Sequence, residues 1–152
     1  MTVEVRLAAG IKGLSALWVK NVVDQTLKRE KIKGKSVSVL LTGNREIRRI
    51  NRRFLNHNYA TDVISFGLRA LSPQLSALSQ NFLGDIVVSA EMAKSVSKQL
   101  DIPFKEELAR YVVHGTLHLL GYEDERKKDK ILMERRQEAI LSALFAKEED
   151  PA

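Results

Sequence analysis

The order of apolar and polar residues along the chain predicts four short strands. The segment VEVRLA (3–8) alternates apolar and charged residues, as a strand with one buried face does. Three further segments are rich in β-branched residues and lie next to turn-forming residues: KGKSVSVLLT (33–42), TDVISF (61–66) and FLGDIVVSA (82–90). Each of these segments is predicted to be a strand.

Two segments in the first half have apolar residues at helical spacing. Residues 13–30 predict a helix with this apolar side: Leu14, Leu17, Trp18, Val22 and Leu27. Residues 43–55 predict a second helix that begins at Asn44, which can act as a cap, and places Ile47, Ile50 and Phe54 on one side. The other side of that helix carries Arg45, Arg48, Arg49, Arg52 and Arg53.

Three more helices are predicted in the second half. Residues 89–100 follow a Ser89 cap. Residues 102–121 have Pro103 near the start, two glutamates in the first turn and Gly121 at the end, which are strong helix signals. Residues 124–150 predict a charged final helix with an apolar seam of Ile131, Leu132, Ile140, Leu141 and Leu144.

Strands interspersed with helices predict an α+β fold. We expect a small mixed sheet of about four strands, packed against about five helices that cover it mainly on one face. The Ser-rich segment 67–81 is predicted to be a loop. No internal repeat or linker divides the sequence, so residues 1–152 are predicted to form a single domain.

Composition narrows the class of protein. The chain is 44% hydrophobic and 29% charged, which is typical of a soluble globular protein. No apolar run approaches the roughly 20 residues that cross a bilayer, and no secretion signal is visible, so a cytoplasmic location without membrane binding is expected. The chain has no cysteine. Any metal must therefore bind through histidine nitrogen and carboxylate oxygen.

The net charge bears on partners. Lys and Arg number 25 against 19 Asp and Glu, which gives +6. A basic surface attracts polyanions, so nucleic acid is a plausible partner. Many basic proteins merely have solvated lysines, and the charge alone leaves both interpretations open.

The segment VVHGTLHLLGYEDE (112–125) carries the candidate chemistry. His114 and His118 are four residues apart on a predicted helix, so both imidazoles can point at one ion. Gly121 permits a chain reversal that brings in a third ligand, Asp124. The resulting pattern H-x-x-x-H-x-x-G-x-x-D resembles that of metzincin proteases, except that Gly115 replaces their glutamate base and Asp124 their last histidine. Three ligands would leave a position for water, as in catalytic zinc sites. Two histidines at this spacing can equally be core residues.

Three segments carry a resemblance to the YbeY family of bacterial rRNA maturation endoribonucleases. HGTLHLLGYED (114–124) resembles the family signature H-G-x-L-H-L-x-G-Y-D-H. ATDVISF (60–66) and LGDIVVS (83–89) resemble two further family segments in the expected order. The resemblance spans essentially the whole chain. It implies an α+β domain that binds a zinc-like ion at the histidine helix.

The resemblance also implies a function. The chain would be a metal-dependent, single-strand-specific endoribonuclease in 16S rRNA 3′-end maturation and ribosome quality control. Its partners would be the 16S rRNA precursor and the ribosome or its small subunit, with no DNA expected. His114, His118 and Asp124 would act through a metal-activated water, or the metal would assist attack by the 2′-OH of the RNA.

Two departures from the family pattern affect the site. Members usually have histidine at the position of Asp124 and aspartate at that of Glu123. Two nitrogens and one oxygen are less selective for zinc than three nitrogens, and Glu123 or Glu125 could substitute as the third ligand. The family arginine that precedes T-D-V aligns with Leu55. The arginines of the neighbouring helix, Arg49, Arg52 and Arg53, are therefore the candidates for binding RNA and stabilising charge on the phosphoryl group.

The remaining candidates have two interpretations each. Asp62, with Thr61, could orient a ligand histidine, or both residues could simply form a turn before a strand. His57 is interpreted as a loop residue rather than a ligand.

The alternative to an enzyme is a ribosome-assembly RNA-binding factor with a structural or vestigial metal. A metalloprotease is disfavoured by Gly115.

Overall fold

The segments predicted as strands assemble into one sheet, with helices between them. A computed structural model of the chain describes residues 3–8, 10–11, 13–67 and 81–146. In chain order its elements are β1 (Val3–Leu7), α1 (Ala16–Arg29), β2 (Ser36–Thr42), α2 (Asn44–Leu55), β3 (Val63–Gly67), β4 (Phe82–Ser89), α3 (Ala90–Leu100), α4 (Phe104–Leu119) and α5 (Lys127–Phe145). The predicted loop at 67–81 falls almost entirely outside the described residues.

The sheet is mixed, as the sequence predicted. Its strand order is β1-β2-β4-β3. β1 pairs with β2 and β2 with β4 in parallel, with Val39 opposite Val5 on one side and Ile86 on the other. β3 is antiparallel to β4, with Ile64 opposite Val87. The α+β fold with four strands and five helices is therefore confirmed for the described residues.

The main hydrophobic core lies on one face of the sheet, under α1, α3, α4 and α5. Side chains alternate between the faces of a strand, so Ile86 and Val88 point into this core while Val87 points to the opposite face. There α2 covers a smaller cluster of Ile47, Ile64 and Val87. This arrangement leaves α2 and its arginines on the opposite side of the sheet from the other helices.

Four apolar residues predicted to face inwards are exposed. Leu17 is 75% exposed and Ile131 is 42% exposed. Each lies two residues before a fully buried residue of its helix: Leu17 before Val19 in α1, and Ile131 before Met133 in α5. Two residues at about 100° each place the pair about 160° apart around the helix, on nearly opposite sides. Leu132 (59%) and Phe54 (60%) are also exposed, so these four predictions were wrong. Helical spacing found the helices, but tertiary packing decided which side is buried.

The start of α2 is capped differently from the prediction. Its N-cap residue is Gly43, and Asn44 is already helical. Glu91 of α3 supplies the acceptor, because the backbone N–H of Asn44 donates to Glu91 Oε1 at 2.8 Å. The predicted Ser89 cap of α3 is confirmed, since Ser89 Oγ accepts from the backbone N–H of Met92 at 3.0 Å. Ser89 Oγ also donates to Asn44 Oδ1, so the two helix starts are joined.

A membrane span is not among the described helices: none combines the length and apolar character that crossing a bilayer demands. The longest, α5, has 19 residues and carries charge along most of its length.

Candidate metal site

Helix α4 brings His114 and His118 together. The helix begins after Pro103. The negative charges of Glu106 and Glu107 in its first turn stabilise it, because they lie at the positive end of the helix dipole. The two histidines lie one turn apart, and their ring centroids are 4.6 Å apart at an interplanar angle of 83°. Crossed in this way, the rings can present one nitrogen each to a common point.

The turn after α4 carries Asp124 back to these rings. The N–H of Gly121 donates to His118 O at 3.0 Å, and the N–H of Tyr122 donates to Leu117 O at 3.1 Å. These two bonds form a Schellman motif, and Gly121 has the positive φ (+104°) that it requires. Asp124 Oδ2 then lies 3.6 Å from His114 Nε2 and 3.3 Å from His118 Nε2.

The second nitrogen of each ring is already bonded. His114 Nδ1 lies 2.8 Å from Gln137 Oε1 in α5, and His118 Nδ1 lies 2.9 Å from Tyr122 O. Both partners are oxygen acceptors, so each neutral ring holds its proton on Nδ1. The lone pair of each Nε2 is therefore left for a metal, which is how protein neighbours usually orient ligand histidines.

The orientation of Gln137 is itself fixed. Its Nε2 donates to Glu138 Oε2 at 3.0 Å, which leaves Oε1 to face His114. Glu138 in turn accepts two hydrogen bonds from Arg110, at 3.0 and 3.1 Å. Gln137 is only 7% exposed, so few other rotamers are open to it. The Arg110–Glu138 pair thus orients the Gln137 amide, and that amide orients the His114 ring.

A second contact holds the turn. The hydroxyl of Tyr122 donates to Glu30 Oε1 at 2.5 Å, and Arg136 pairs with the other oxygen of Glu30. The Tyr122 ring is thereby tied to the end of α1 while its backbone carbonyl accepts from His118. The hydrogen bond to Glu30 is the main cause that raises the pKa of Tyr122. Tyr122 is thus kept as the protonated donor.

Gly115 allows α4 to approach the sheet. A Cβ atom at this position would lie 2.6 Å from Ile86 Cγ2 and 3.0 Å from Val63 Cγ2. The backbone carbonyl of Gly115 also accepts from Ser65 Oγ at 2.9 Å. A glutamate base at this position, as in the metzincin pattern, has no room in this packing.

The donor atoms fit a divalent ion. One ligand atom from each of His114, His118 and Asp124 lies within 4.8 Å of the other two. Donors that share a tetrahedral ion at about 2.0–2.2 Å stand about 3.3–3.6 Å apart. Both spacings between imidazole and carboxylate fall in that range, and the proton positions leave both Nε2 atoms free. These three residues can therefore hold a metal ion.

An open groove adjoins the site. The side chains of both histidines are 27% exposed and that of Asp124 is 41% exposed. The groove has a volume of about 570 Å³ and lies beside His118, between the end of α2 and the turn after α4. Its lining includes Leu55, Ser65, Glu123 and Glu125. A catalytic metal site needs such access for water and substrate.

The other predicted site residues are not in the ligand group. Glu123 and Glu125 line the groove, but Asp124 is the acid that lies close to both histidines. Among the described residues, no hydrogen bond joins Thr61 or Asp62 to either histidine. Asp62 Oδ1 accepts instead from the backbone N–H of Val63 at 2.7 Å and from Thr61 Oγ1 at 3.2 Å. Both residues therefore stabilise the turn before β3.

The arginines lie on the exposed side of α2. Arg49 pairs with Glu46 at 3.6 Å, and Arg53 lies over the ring of Phe54. Within the described part of the chain, neither Arg52 nor Arg53 has an acidic partner. Arg49, Arg52 and Arg53 do not line the groove, whereas Leu55 of the same helix does.

Gln137 was not predicted as a site residue from the sequence. It lies 23 residues after His114, and no local motif links the two. One signal was present: Met133, Gln137, Ile140 and Leu141 have the spacing of one buried helix face, and Gln137 is the single polar residue in that set. A polar side chain at a core position usually has a specific hydrogen-bond partner.

The fold and the site together define a class of protein: a small α+β protein in which two histidines and one aspartate beside an open groove could hold a metal ion. The sequence matches the family described as Endoribonuclease YbeY over residues 11–145. The chain therefore belongs to the YbeY family.

Individual relatives agree with this membership. The Endoribonuclease YbeY of Chlorobaculum parvum is 35% identical over 82% of this chain and 89% of the relative. That of Staphylococcus carnosus is 37% identical over 81% of this chain and 82% of the relative. A solution structure of TM1509 from Thermotoga maritima has a TM-score of 0.67 at 23% identity, covering 96% of this chain and 91% of that one. The structural likeness supports the fold.

Proposed function

We propose that this chain is a metal-dependent endoribonuclease that cleaves single-stranded RNA during rRNA processing. The curated relatives carry the name Endoribonuclease YbeY, and the chain matches them over most of its length. His114, His118 and Asp124 are the proposed ligands, and zinc is the proposed ion. The 16S rRNA precursor, bound on the ribosome or its small subunit, is the proposed substrate.

One observation supports this proposal most strongly. Both Nε2 atoms lie within 3.6 Å of the same oxygen of Asp124, while both Nδ1 atoms face oxygen acceptors. Buried core histidines need their nitrogens satisfied, but they do not need two lone pairs pointed at one carboxylate. The arrangement supports the proposal that these residues form a ligand set with its supporting hydrogen bonds.

A divalent ion at these ligands would supply Lewis acidity to a phosphoryl oxygen and to water. The protein residues supply the rest. Gln137 and the Tyr122 carbonyl retain the protons on the two Nδ1 atoms, so the ligands keep one orientation through the reaction. Asp124 is the anionic ligand, and its place in a hydrogen-bonded turn limits its movement.

The surfaces beside the site suit an RNA strand. The arginines of α2 provide positive charge for phosphates, with Arg52 and Arg53 free of acidic partners within the described residues. Glu123 and Glu125 on the other side of the groove repel phosphates. This distribution of charge would direct the strand along α2 and bring one phosphodiester to the metal ligands.

The test compares untagged wild type with His118→Ala. Elemental analysis should find about one divalent ion per wild-type chain, and zinc should be the metal retained. Wild type should cleave single-stranded RNA, cleave a duplex of the same sequence poorly, and lose activity with a chelator. His118→Ala should lose both the metal and the cleavage.

The third histidine offers a matched control for metal content. His57 lies outside the ligand group, so His57→Ala should keep the metal that His118→Ala loses. Equal metal content in all three proteins would contradict the ligand assignment. RNA binding by wild type without cleavage at any metal loading would instead favour a non-catalytic assembly factor.

A further inference from the structure

The loop after α2 presents two stacked rings to the groove. The rings of His57 and Tyr59 are nearly parallel, at an interplanar angle of 13°, with centroids 5.4 Å apart. The Tyr59 hydroxyl and His57 Nδ1 are hydrogen-bonded at 3.2 Å. Tyr59 is 55% exposed, and both rings line the groove that also contains His118. This pair therefore offers a flat aromatic surface to a ligand beside the candidate metal site.

The loop that carries these rings is held in place. Asn51 is 2% exposed, and its side-chain Nδ2 donates to Tyr59 O at 3.0 Å. The backbone carbonyl of Asn51 accepts from the N–H of His57 at 3.2 Å. Arg48 Nε donates to Asn58 Oδ1 at 3.0 Å. Each of these bonds goes to the loop backbone or to Asn58, so the two rings are free to contact a ligand while the loop stays fixed.

The neighbourhood suits a nucleobase of single-stranded nucleic acid as the ligand. Flat aromatic surfaces stack on unpaired bases, and single-strand binders combine such surfaces with arginines that contact the phosphates. Here the aromatic pair directly follows the arginine-bearing helix. A groove of about 570 Å³ has room for a nucleotide beside the rings.

We propose that His57 and Tyr59 form a stacking platform for one unpaired base of the RNA substrate, adjacent to the metal ligands. This inference rests on the proposed function for the identity of the substrate. A stacked base would fix the register of the strand, and so determine which phosphodiester reaches His114, His118 and Asp124. A base within a duplex is already stacked on its neighbours, so the platform also gives a physical reason for single-strand preference.

The test measures RNA binding separately from cleavage. A labelled, short single-stranded RNA is titrated with protein in the presence of a chelator, and fluorescence anisotropy gives the affinity. Tyr59→Leu keeps an apolar side chain but removes the aromatic ring, and should weaken binding about tenfold or more. Tyr59→Phe keeps the ring and should remain within about threefold of wild type. Leu100→Ala removes an exposed apolar side chain outside this groove and should bind like wild type.

An abasic scan gives the decisive comparison. One nucleotide at a time loses its base, and wild type should lose affinity at one or two positions. Tyr59→Leu should show no further loss at those positions, because the stacking partner is already absent. An unchanged abasic profile in Tyr59→Leu, equal affinity of that variant and wild type, or no RNA binding by wild type would each overturn the platform.

Cleavage assays with metal restored separate this inference from the proposed function. If wild type cleaves RNA and Tyr59→Leu binds RNA as tightly as wild type does, the stacking platform is contradicted and the proposed endoribonuclease activity stands. If RNA binding depends on Tyr59 but neither wild type nor any variant cleaves RNA, the stacking platform is supported and the proposed endoribonuclease activity is contradicted.

Discussion

A single amide, the side chain of Gln137, determines which nitrogen of His114 carries the proton. Its Oε1 can only accept, and its Nε2 is engaged by Glu138. If Oε1 is lost, His114 can turn or place its proton on Nε2, where it would block a metal. The effect of Gln137 on the site is therefore indirect and acts through His114.

Gln137→Leu should weaken metal binding by about 10- to 100-fold, because His114 Nδ1 loses its acceptor. Gln137→Glu supplies another oxygen acceptor and should restore most of the affinity. Competition with a chromophoric chelator measures both constants. Gln99→Leu, an exposed position in α3, makes the same chemical change away from the site and should bind metal like wild type. Equal affinities for all four proteins would contradict the role given to Gln137.

Leu55 occupies the position where the family resemblance places an arginine. It is 45% exposed and lines the groove beside His118. The prediction is that Leu55→Arg tightens binding of single-stranded RNA at low salt and steepens the dependence of log K on log salt by about 0.7, the effect of one added phosphate contact. Leu100→Arg adds the same charge at an exposed leucine outside the groove. If both variants change the salt dependence equally, net charge rather than position is responsible.

At the scale of elements, the turn after α4 positions two parts of the candidate site. Two hydrogen bonds close the Schellman motif, and only a positive φ at Gly121 allows both. The same turn supplies the carbonyl of Tyr122 and the carboxylate of Asp124. A distortion there would move Asp124, a proposed ligand, together with the Tyr122 carbonyl that accepts from His118.

Gly121→Ala should lower the free energy of unfolding by about 1–2 kcal/mol, because alanine resists this backbone conformation. It should also weaken metal binding, since Asp124 follows three residues later. Gly34→Ala is the matched control: Gly34 also has a positive φ (+69°), with open space around it and no contact with the site. Denaturant unfolding should show a loss of stability in both variants, and metal titration a loss in Gly121→Ala alone. Normal metal affinity in Gly121→Ala would show that the turn tolerates the change.

The sequence predicted local features better than distant ones. The proximity of His114, His118 and Asp124 could be predicted because all three residues fall within one helix and its turn, where spacing determines direction. The turn glycine and the Ser89 cap were accessible for the same reason. The buried sides of α1 and α5 were not predicted correctly. Leu17 and Ile131 have the spacing of a core face, and only the packing of the other elements leaves them exposed to solvent.

Contacts between distant segments could not be predicted from spacing. Gln137 approaches His114 because α5 packs against α4, and Glu91 caps α2 from a different helix. The strand order also brings β4 between β2 and β3, which no local pattern encodes. The residues that position the proposed ligands therefore depend on the whole fold, although the proposed ligands lie close together in the sequence.

At the scale of the whole molecule, Arg110 joins α4 to α5. Its guanidinium contacts Glu106 and Glu107 of its own helix and Glu138 of the next. The hydrogen bond with Arg110 is the main cause that lowers the pKa of Glu138, and the same bond raises the pKa of Arg110. Burial, followed by the charge of Glu107, raises the pKa of neighbouring Tyr111. Arg110 thus links the two helices that position His114.

This pair gives the fold a dependence on acidity. Because the folded protein lowers the pKa of Glu138, the pair stabilises the fold above the unfolded carboxyl pKa of about 4.3, and this stability is lost as the pH falls through the lowered value. The side chain of Glu138 is 50% exposed, so solvent screening limits the effect to roughly 1 kcal/mol or less. Glu138→Gln should therefore have a lower thermal midpoint than wild type at pH 7, and the difference should shrink as the pH approaches 3.

Glu134→Gln is the matched control. It changes an exposed residue of the same helix that has no ion pair within the described residues, and its thermal midpoint should equal that of wild type at each pH. A constant difference between Glu138→Gln and wild type across this range would mean that the charge of Glu138 is not what stabilises the contact between α4 and α5.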